Sequence, residues 1–407
     1  MILEIAYLDG FGAEHATEAL PGALPVDHPA PQASPYGLYA EQLSGSAFPS
    51  PDGRALGSWL YRLRPAAVHS QFRPDEVGHL EARFMEVGTP PDPLRWDPRP
   101  IPRSATDFVD GLYTLAGNGR ADQQAGCRMH VYGCNRSMER RYFYDADGEL
   151  LIVPQDGELL LETELGRLHV QPHEVALVPR GVRFRVRLPE GKPARGYVCE
   201  NFGTPLGLPA VAGGADPAHF QFPVAWYEDV EGRCELVCKF LNRTWSAQMM
   251  HSPLDVVAWR GNYAPYKYDL RRFHPAEEGA RAASLPPVLA SPGGGGDALQ
   301  FVVFPPRWSV AEHAFPAPWY HRNVASEFMG LVAGAYEARA GGFVPGGSSL
   351  HNCMIGHGPD AAAWERLRSA AAGHVPSGAP AEPALAFMFE TRMPLRSEEH
   401  TSELQSH

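Results

Sequence analysis

The chain has 407 residues, 44% of them hydrophobic, with 35 Lys+Arg against 47 Asp+Glu and a formal charge of −12. That is enough apolar material for two or three packed units, whereas an acidic chain with 20% charged residues lacks the basic footprint that nucleic acids need. No apolar run approaches the ~20 residues of a membrane-spanning helix, and MILEIAYLDGFG at the N-terminus has no basic stretch ahead of an apolar one, so a cytoplasmic protein is expected.

High Gly (41) and Pro (40) favour short strands joined by many turns. Residues 1–70 form a loop-rich N-terminal region containing GLYAEQLSGSAF (37–48) and SWLYRLRP (58–65). From about 127 to 200 the runs RMHVYGC, ELLIVPQ, GELLLETELG, RLHVQP, EVALVPRG and VRFRVRLP are alternating or fully apolar and are cut by Gly, Pro and Asp. Strands at such short intervals predict a β-sandwich or jelly roll. A more irregular middle holds FPVAWYED (222–229) and DVVAWRGNYAPYKYDL (255–270). SPGGGGDA (291–298) reads as a flexible connector. A second strand-rich block runs from FVVFPPRW (301–308) to about 358, and Asp360 caps a predicted helix over 361–373. The two β blocks suggest one duplicated, diverged architecture with few helices. The terminal RSEEHTSELQSH (396–407) is polar, lacks periodicity and matches a translated sequencing adapter, so it is set aside as a non-native tail.

Six cysteines are scattered, and CELVC (234–238) holds the only close pair, with no second pair to complete a zinc knuckle. Buried free thiols are expected.

The densest group of metal-type donors lies in WYHRNVASEFMG (319–330) and SSLHNCMIGHGPD (348–360), which supply His321, Glu327, His351 and His357. Six residues from His321 to Glu327 is neither a helical i,i+4 nor a zincin spacing. The interval from Glu327 to His357 has room for a strand, a turn and a return strand. Two imidazoles and a carboxylate on one face of a metal leave open positions, as in non-haem Fe(II) oxygenases, and zinc could use the same ligands. With 17 histidines in the chain, spacing alone leaves the matter open.

The longer phrases DGFGAEHATEALPGALP, LYAEQLSGSAF, SWLYR, FVDGLYTLAG, SMERRYFYDADGELLIVPQDGEL, AWYED, AWRGNYAPYKYDL, FVVFPPRW, YHRN-x3-EFMGL and SLH-x5-HGPDA resemble the homogentisate 1,2-dioxygenase family through most of the chain. The resemblance implies a mostly β fold of two cupin-like, jelly-roll β-sandwich units. The N-terminal β-sandwich domain would span 1–253 and the C-terminal cupin-like catalytic domain 254–395. It implies cytosolic Fe(II), a homo-hexamer built as a dimer of trimers, and O₂-dependent opening of the homogentisate ring to 4-maleylacetoacetate in tyrosine and phenylalanine catabolism. Carried over by position, the iron ligands are His321, Glu327 and His357, with Tyr336 and His357 touching substrate. His351, six residues before His357, would line the cavity or orient a ligand.

One departure accompanies the match. The family's general-base histidine sits in an FDH-x-DPS phrase between YKYDL and FVVFPPRW, and the interval 271–299 here has no such phrase; the equivalent position falls near Ala280. His351 and His274 are the substitutes at hand. The alternative reading is therefore a catalytically impaired cupin that binds metal and an aromatic acid. A zinc hydrolase or isomerase on the same scaffold would keep the ligands without using the surrounding phrases.

Overall fold

A computed structural model describes residues 5–25, 32–48, 55–75, 79–80, 88–210, 214–274, 286–294, 296–304, 320–335, 343–359, 361, 364–365, 384–397 and 402–403. Their regular secondary structure is mostly β-strand, joined by loops and short 3₁₀ turns. No described helix is long and apolar enough to cross a membrane. Of the helix expected over 361–373, Ala361, Trp364 and Glu365 are helical and the rest lies outside the described residues.

Apolar runs in the first block become the strands that the pattern predicts: Cys127–Cys134, Glu149–Asp156, Leu159–Thr163, Gly166–Val170, Glu174–Val178 and Phe184–Arg187. Cys127–Cys134 and the start of Glu149–Asp156 are buried on both faces, which is why they read as continuous rather than alternating runs. An eight-stranded sheet places Glu149–Asp156, Ala194–Asn201, Cys127–Cys134 and Leu112–Gly117 side by side. A seven-stranded sheet faces it, built on the long hairpin Glu231–Phe240 and Arg243–His251. The strand Arg141–Asp145 joins that hairpin in parallel. A four-stranded sheet adds His15–Glu18, Gly57–Arg62, Tyr39–Ser44 and Val256–Gly261. Val256–Gly261 and Tyr266–Asp269 lie after residue 253, yet they pair with strands of the first part of the chain, His15–Glu18, Gly57–Arg62 and Glu174–Val178.

The C-terminal sheet runs Leu289–Gly293, Gly296–Phe304, Leu385–Thr391, Ser326–Ala333, Ser348–His351, Leu94–Trp96 and Ser402–Glu403. SPGGGGDA is no loose connector: Pro292 pairs with Asp297 and Gly293 with Gly296 at the tip of an antiparallel hairpin. The flanking pair Leu289 and Phe301 is fully buried, and burial of this kind fixes the register that glycines alone leave free. Gly296 takes a φ of +125°, a conformation open to glycine and hostile to other residues.

One core runs through both parts. Leu151, Ile152, Cys199 and Val198 from the first part pack in the same buried cluster as Phe301, Phe328, Leu350 and Phe387 from the second. Polar contacts stitch the same seam. Tyr197 donates from its phenol to the carbonyls of Leu331 and Gly347, at 3.0 and 2.8 Å. Asn118 donates to Thr391 Oγ1 at 3.1 Å and to the Met393 carbonyl at 3.0 Å. The backbones of Gly117 and Arg396 bond to each other in both directions. All six cysteines are free thiols, five of them buried.

Candidate metal centre

Three strands of the C-terminal sheet bring the donors together. In Ser326–Ala333, Glu327 stands opposite His351 of Ser348–His351 on one side and Glu390 of Leu385–Thr391 on the other. Directly paired residues project to the same face of a sheet, so Glu327, His351 and Glu390 share one face. Beyond His351 the chain turns sharply through Asn352 and Met354, whose φ of +62° is strained for a non-glycine residue. Local bonds hold that turn. The Asn352 side chain exchanges two hydrogen bonds with the backbone of Leu395, each 2.8 Å. Met354 N–H donates to the Asn323 carbonyl at 2.8 Å, and Cys353 N–H to Ser326 Oγ at 3.2 Å. The turn delivers His357 back against His321, and the two backbones form a reciprocal bridge at 2.9 and 3.1 Å.

The result is a compact triad. One ligand atom each from His321, Glu327 and His357 lies within 4.8 Å of the others. His357 Nε2 is 2.9 Å from Glu327 Oε2 and His321 Nε2 is 3.8 Å from Glu327 Oε1. Nδ1 of His357 faces the Ile355 carbonyl at 2.9 Å, which assigns the proton to Nδ1 and aims the Nε2 lone pair at the centre. Two acceptors, an imidazole lone pair and a carboxylate oxygen, then face each other at hydrogen-bond distance. Such a contact is stable only with a proton or a metal cation between them. The donor set therefore fits a metal, and its His₂-carboxylate composition fits the facial arrangement used by Fe(II). Glu327 is buried, which alone would raise its pKa; the contact with His357, together with Asn323 and His321, outweighs burial and holds it below the ordinary carboxylate range.

His351 is buried and its ring stacks on His357 at 4.3 Å and 4°. His274 is exposed beyond a short 3₁₀ turn, and its backbone N–H bonds Gly214. Tyr336 and the stretch around Ala280 lie outside the described residues. Two groups escape reasoning on sequence. Asn323 donates from Nδ2 to Glu327 Oε1, and its signal was present in the YHRN phrase. Glu390 has no local signal, being 63 positions from Glu327 and adjacent only through strand pairing. Burial and the neighbouring Glu327 charge push its carboxyl up to about 7.

A second acidic group, Asp145, Asp147 and Glu200, is fully buried in the first part. It already holds a cation: the Lys239 ammonium donates to Asp147 at 2.8 Å and to Glu200.

Among solved structures, the chain is similar to protein Ylba from E. coli, with 8% identity, 75% of this chain and 92% of that one covered, and a TM-score of 0.33. A cupin-domain protein from Bordetella pertussis shares 20% identity over 22% of this chain and 92% of its own, with a TM-score of 0.18. The bacterial pirin YhhW from Escherichia coli, solved in complex with nickel(II), shares 10% identity over 79% and 98% of the two chains, with a TM-score of 0.28. Assignment rests instead on family models. The homogentisate 1,2-dioxygenase N-terminal model matches residues 6–270 and the corresponding C-terminal model residues 282–407. With both models matched, and together covering nearly all of the sequence, the chain belongs to the homogentisate 1,2-dioxygenase family.

Proposed function

We propose that this protein is an Fe(II)-dependent dioxygenase that opens the ring of homogentisate with O₂ to give 4-maleylacetoacetate, in the cytoplasm, as a step of tyrosine and phenylalanine breakdown. The observation that carries the reading is the convergence of His321, Glu327 and His357 in a chain of this family. Assembly as a dimer of trimers belongs to the same proposal.

Bound iron would supply the redox chemistry that O₂ activation and ring opening require. The chain's own residues prepare that site. Ile355 fixes the His357 tautomer, Asn323 fixes one oxygen of Glu327, and the backbone bridge between His321 and His357 keeps both imidazoles at one spacing. Three protein donors leave the remaining positions to the substrate, so binding becomes orientation, which is where proximity contributes most. His351, parallel to His357 and buried, is proposed to accept or hold a proton during the reaction. Tyr336 is proposed to place its hydroxyl on a substrate oxygen.

The absence of an FDH-x-DPS phrase in 271–299 favours a second reading, a cupin that binds metal and an aromatic acid with impaired turnover. A positioned general base contributes roughly 10²–10⁴-fold, so its loss slows chemistry far more than binding. Oxygen uptake after adding homogentisate to anaerobically Fe(II)-loaded protein separates the two. Uptake in step with formation of the ring-opened product supports the dioxygenase, and a spectral change on anaerobic binding without uptake supports the impaired cupin. Glu327→Ala should lose most bound iron with its β-sheet circular dichroism retained; full iron occupancy in that variant contradicts the ligand set.

A further inference from the structure

A crevice opens where the eight-stranded sheet meets the turn at 343–347 that feeds Ser348–His351. Its wall includes Arg99, Tyr132, Gln155, Arg195, Tyr197 and Gly346, and its enclosed floor holds about 10 Å³, room for one water-sized group, below an open mouth. Its polar groups have an unusual balance. Tyr132 is 3% exposed and its hydroxyl is buried with no hydrogen-bond partner among the described residues. That phenol lies over Gly196, where a Cβ would stand 2.8 Å from the oxygen, so the glycine keeps its space open. Arg195 spends Nε on Gln155 Oε1 at 2.7 Å, and no described residue takes its two terminal nitrogens. Arg99 lies with its guanidinium carbon 3.7 Å from the centre of the Tyr113 ring, an arrangement that leaves the N–H edge free. Neither arginine has an ion pair among the described residues; Asp156, paired with Arg195 along the strands, is exposed and makes none with it.

The unspent groups are the Tyr132 hydroxyl and two guanidinium groups; the one acceptor side chain of the wall, Gln155, is already engaged, and the exposed Asp156 carboxylate acts on Tyr132 only through its charge. Burying a phenol without a partner costs ~1–3 kcal/mol, and two neighbouring guanidinium groups repel. An acceptor-only anion answers both at once. A water molecule would satisfy the phenol but would draw nothing from the two arginines beside it.

From this geometry we propose that the crevice is a binding site for a small oxyanion of the phosphate or carboxylate class, held by Tyr132, Arg195 and Arg99. The narrow floor takes one oxygen, received from the Tyr132 hydroxyl and Arg195, while the rest of the anion faces Arg99 at the mouth. Burial drives the Tyr132 pKa well above its ordinary value, so the phenol remains a donor throughout the physiological range. Gly346, at a φ of +91°, lines the crevice as glycine alone can, since a Cβ there would stand 3.1 Å from Gln155 Oε1 and 3.3 Å from the Arg195 guanidinium carbon. An anion there clamps the C-terminal turn onto the N-terminal sheet, next to the bonds from Tyr197.

The test is thermal unfolding of the intact protein at constant ionic strength, titrated with inorganic phosphate, acetate or chloride. Phosphate should raise Tm along a saturating curve, and acetate should do so more weakly. In Arg195→Gln the midpoint of that curve should move at least about tenfold to higher phosphate, as loss of a charge-assisted contact predicts. Tyr132→Phe should weaken the response without lowering Tm in anion-free buffer, because it removes an unpaired hydroxyl. Arg99→Gln, an exposed change that leaves the fold untouched, should weaken it too. Equal curves in wild type and all three variants, no response to phosphate, or a matching response to chloride would each overturn the proposal.

Discussion

Asn323 settles how the Glu327 carboxylate faces its histidines. Its side-chain amide donates to Oε1 while its backbone carbonyl accepts from Met354 N–H, so the residue ties the ligand to the turn that returns His357. Groups of this kind typically contribute 10–100-fold to metal affinity. Asn323→Ala should therefore weaken iron binding on the order of tenfold or more with unchanged far-UV circular dichroism, as read by titration against a competing chelator; unaltered affinity would show that Glu327 is held by other means. Glu149 presents a different residue-scale effect. It is buried, accepts from Asn201 Nδ2 at 2.8 Å and Leu206 N–H at 2.6 Å on one oxygen, and feels Arg180. Burial nevertheless dominates and pushes its carboxyl up to about 7 from an ordinary 4.5. Between those values the folded chain retains a proton that the unfolded chain has released. Stability therefore falls as pH rises through that window and is level above it. Glu149→Gln keeps the carbonyl acceptor and cannot ionise. It should exceed the wild type by on the order of 2–3 kcal/mol at about pH 8, with the gap closing towards pH 4.5, in urea unfolding at several pH values. A variant less stable at the higher pH would mean that the charged form is the one the site prefers.

At the scale of elements, legibility in the sequence follows burial and locality. Runs such as ELLIVPQ and EVALVPRG are buried strands bounded by Pro and Gly, so composition and period carry them directly into Glu149–Asp156 and Glu174–Val178. Arg141–Asp145 and the hairpin Glu231–His251 escaped that reading. Their register places Arg, Glu, Lys and Cys on strands whose charges are satisfied by tertiary partners, as with Lys239 against Asp147 and Glu200. Period-based reasoning treats such residues as exposed and misses the strand. The glycine run at 291–298 misleads in the opposite sense, since the pairing of Leu289 with Phe301 that makes it a hairpin is not written in the glycines. The site divides along the same line. His321, Glu327 and His357 were marked by residue type and by the phrases around them, and the structure brings them together. Glu390 joins the same face only through the register of Leu385–Thr391 against Ser326–Ala333, a long-range pairing with no local trace.

Across the whole molecule, the seam decides whether two family-defined parts behave as one. The shared core and the side-chain bonds of Asn118, Gln155 and Tyr197 all cross it. Tyr197 is the most central of these, 1% exposed, with its ring edge-on to Phe387 at 4.9 Å and its hydroxyl shared between two carbonyls. Leu331 O also accepts from Gly346 N–H, so removing the phenol does not leave it wholly unpaired. Tyr197→Phe keeps the ring packing and deletes only the donor, for which a loss of ~1–2 kcal/mol is expected. If burial across the seam couples the parts, that loss shifts the whole urea transition to lower denaturant at the same slope, because the slope follows the surface exposed on unfolding and the variant exposes no more of it. Tryptophan fluorescence and far-UV circular dichroism, recorded at one protein concentration, should then trace coincident curves in both proteins. Separation of the two probes in Tyr197→Phe, with the C-terminal sheet melting first, would show instead that the phenol, rather than the apolar core, is what joins the sheet carrying Glu327 to the rest of the chain.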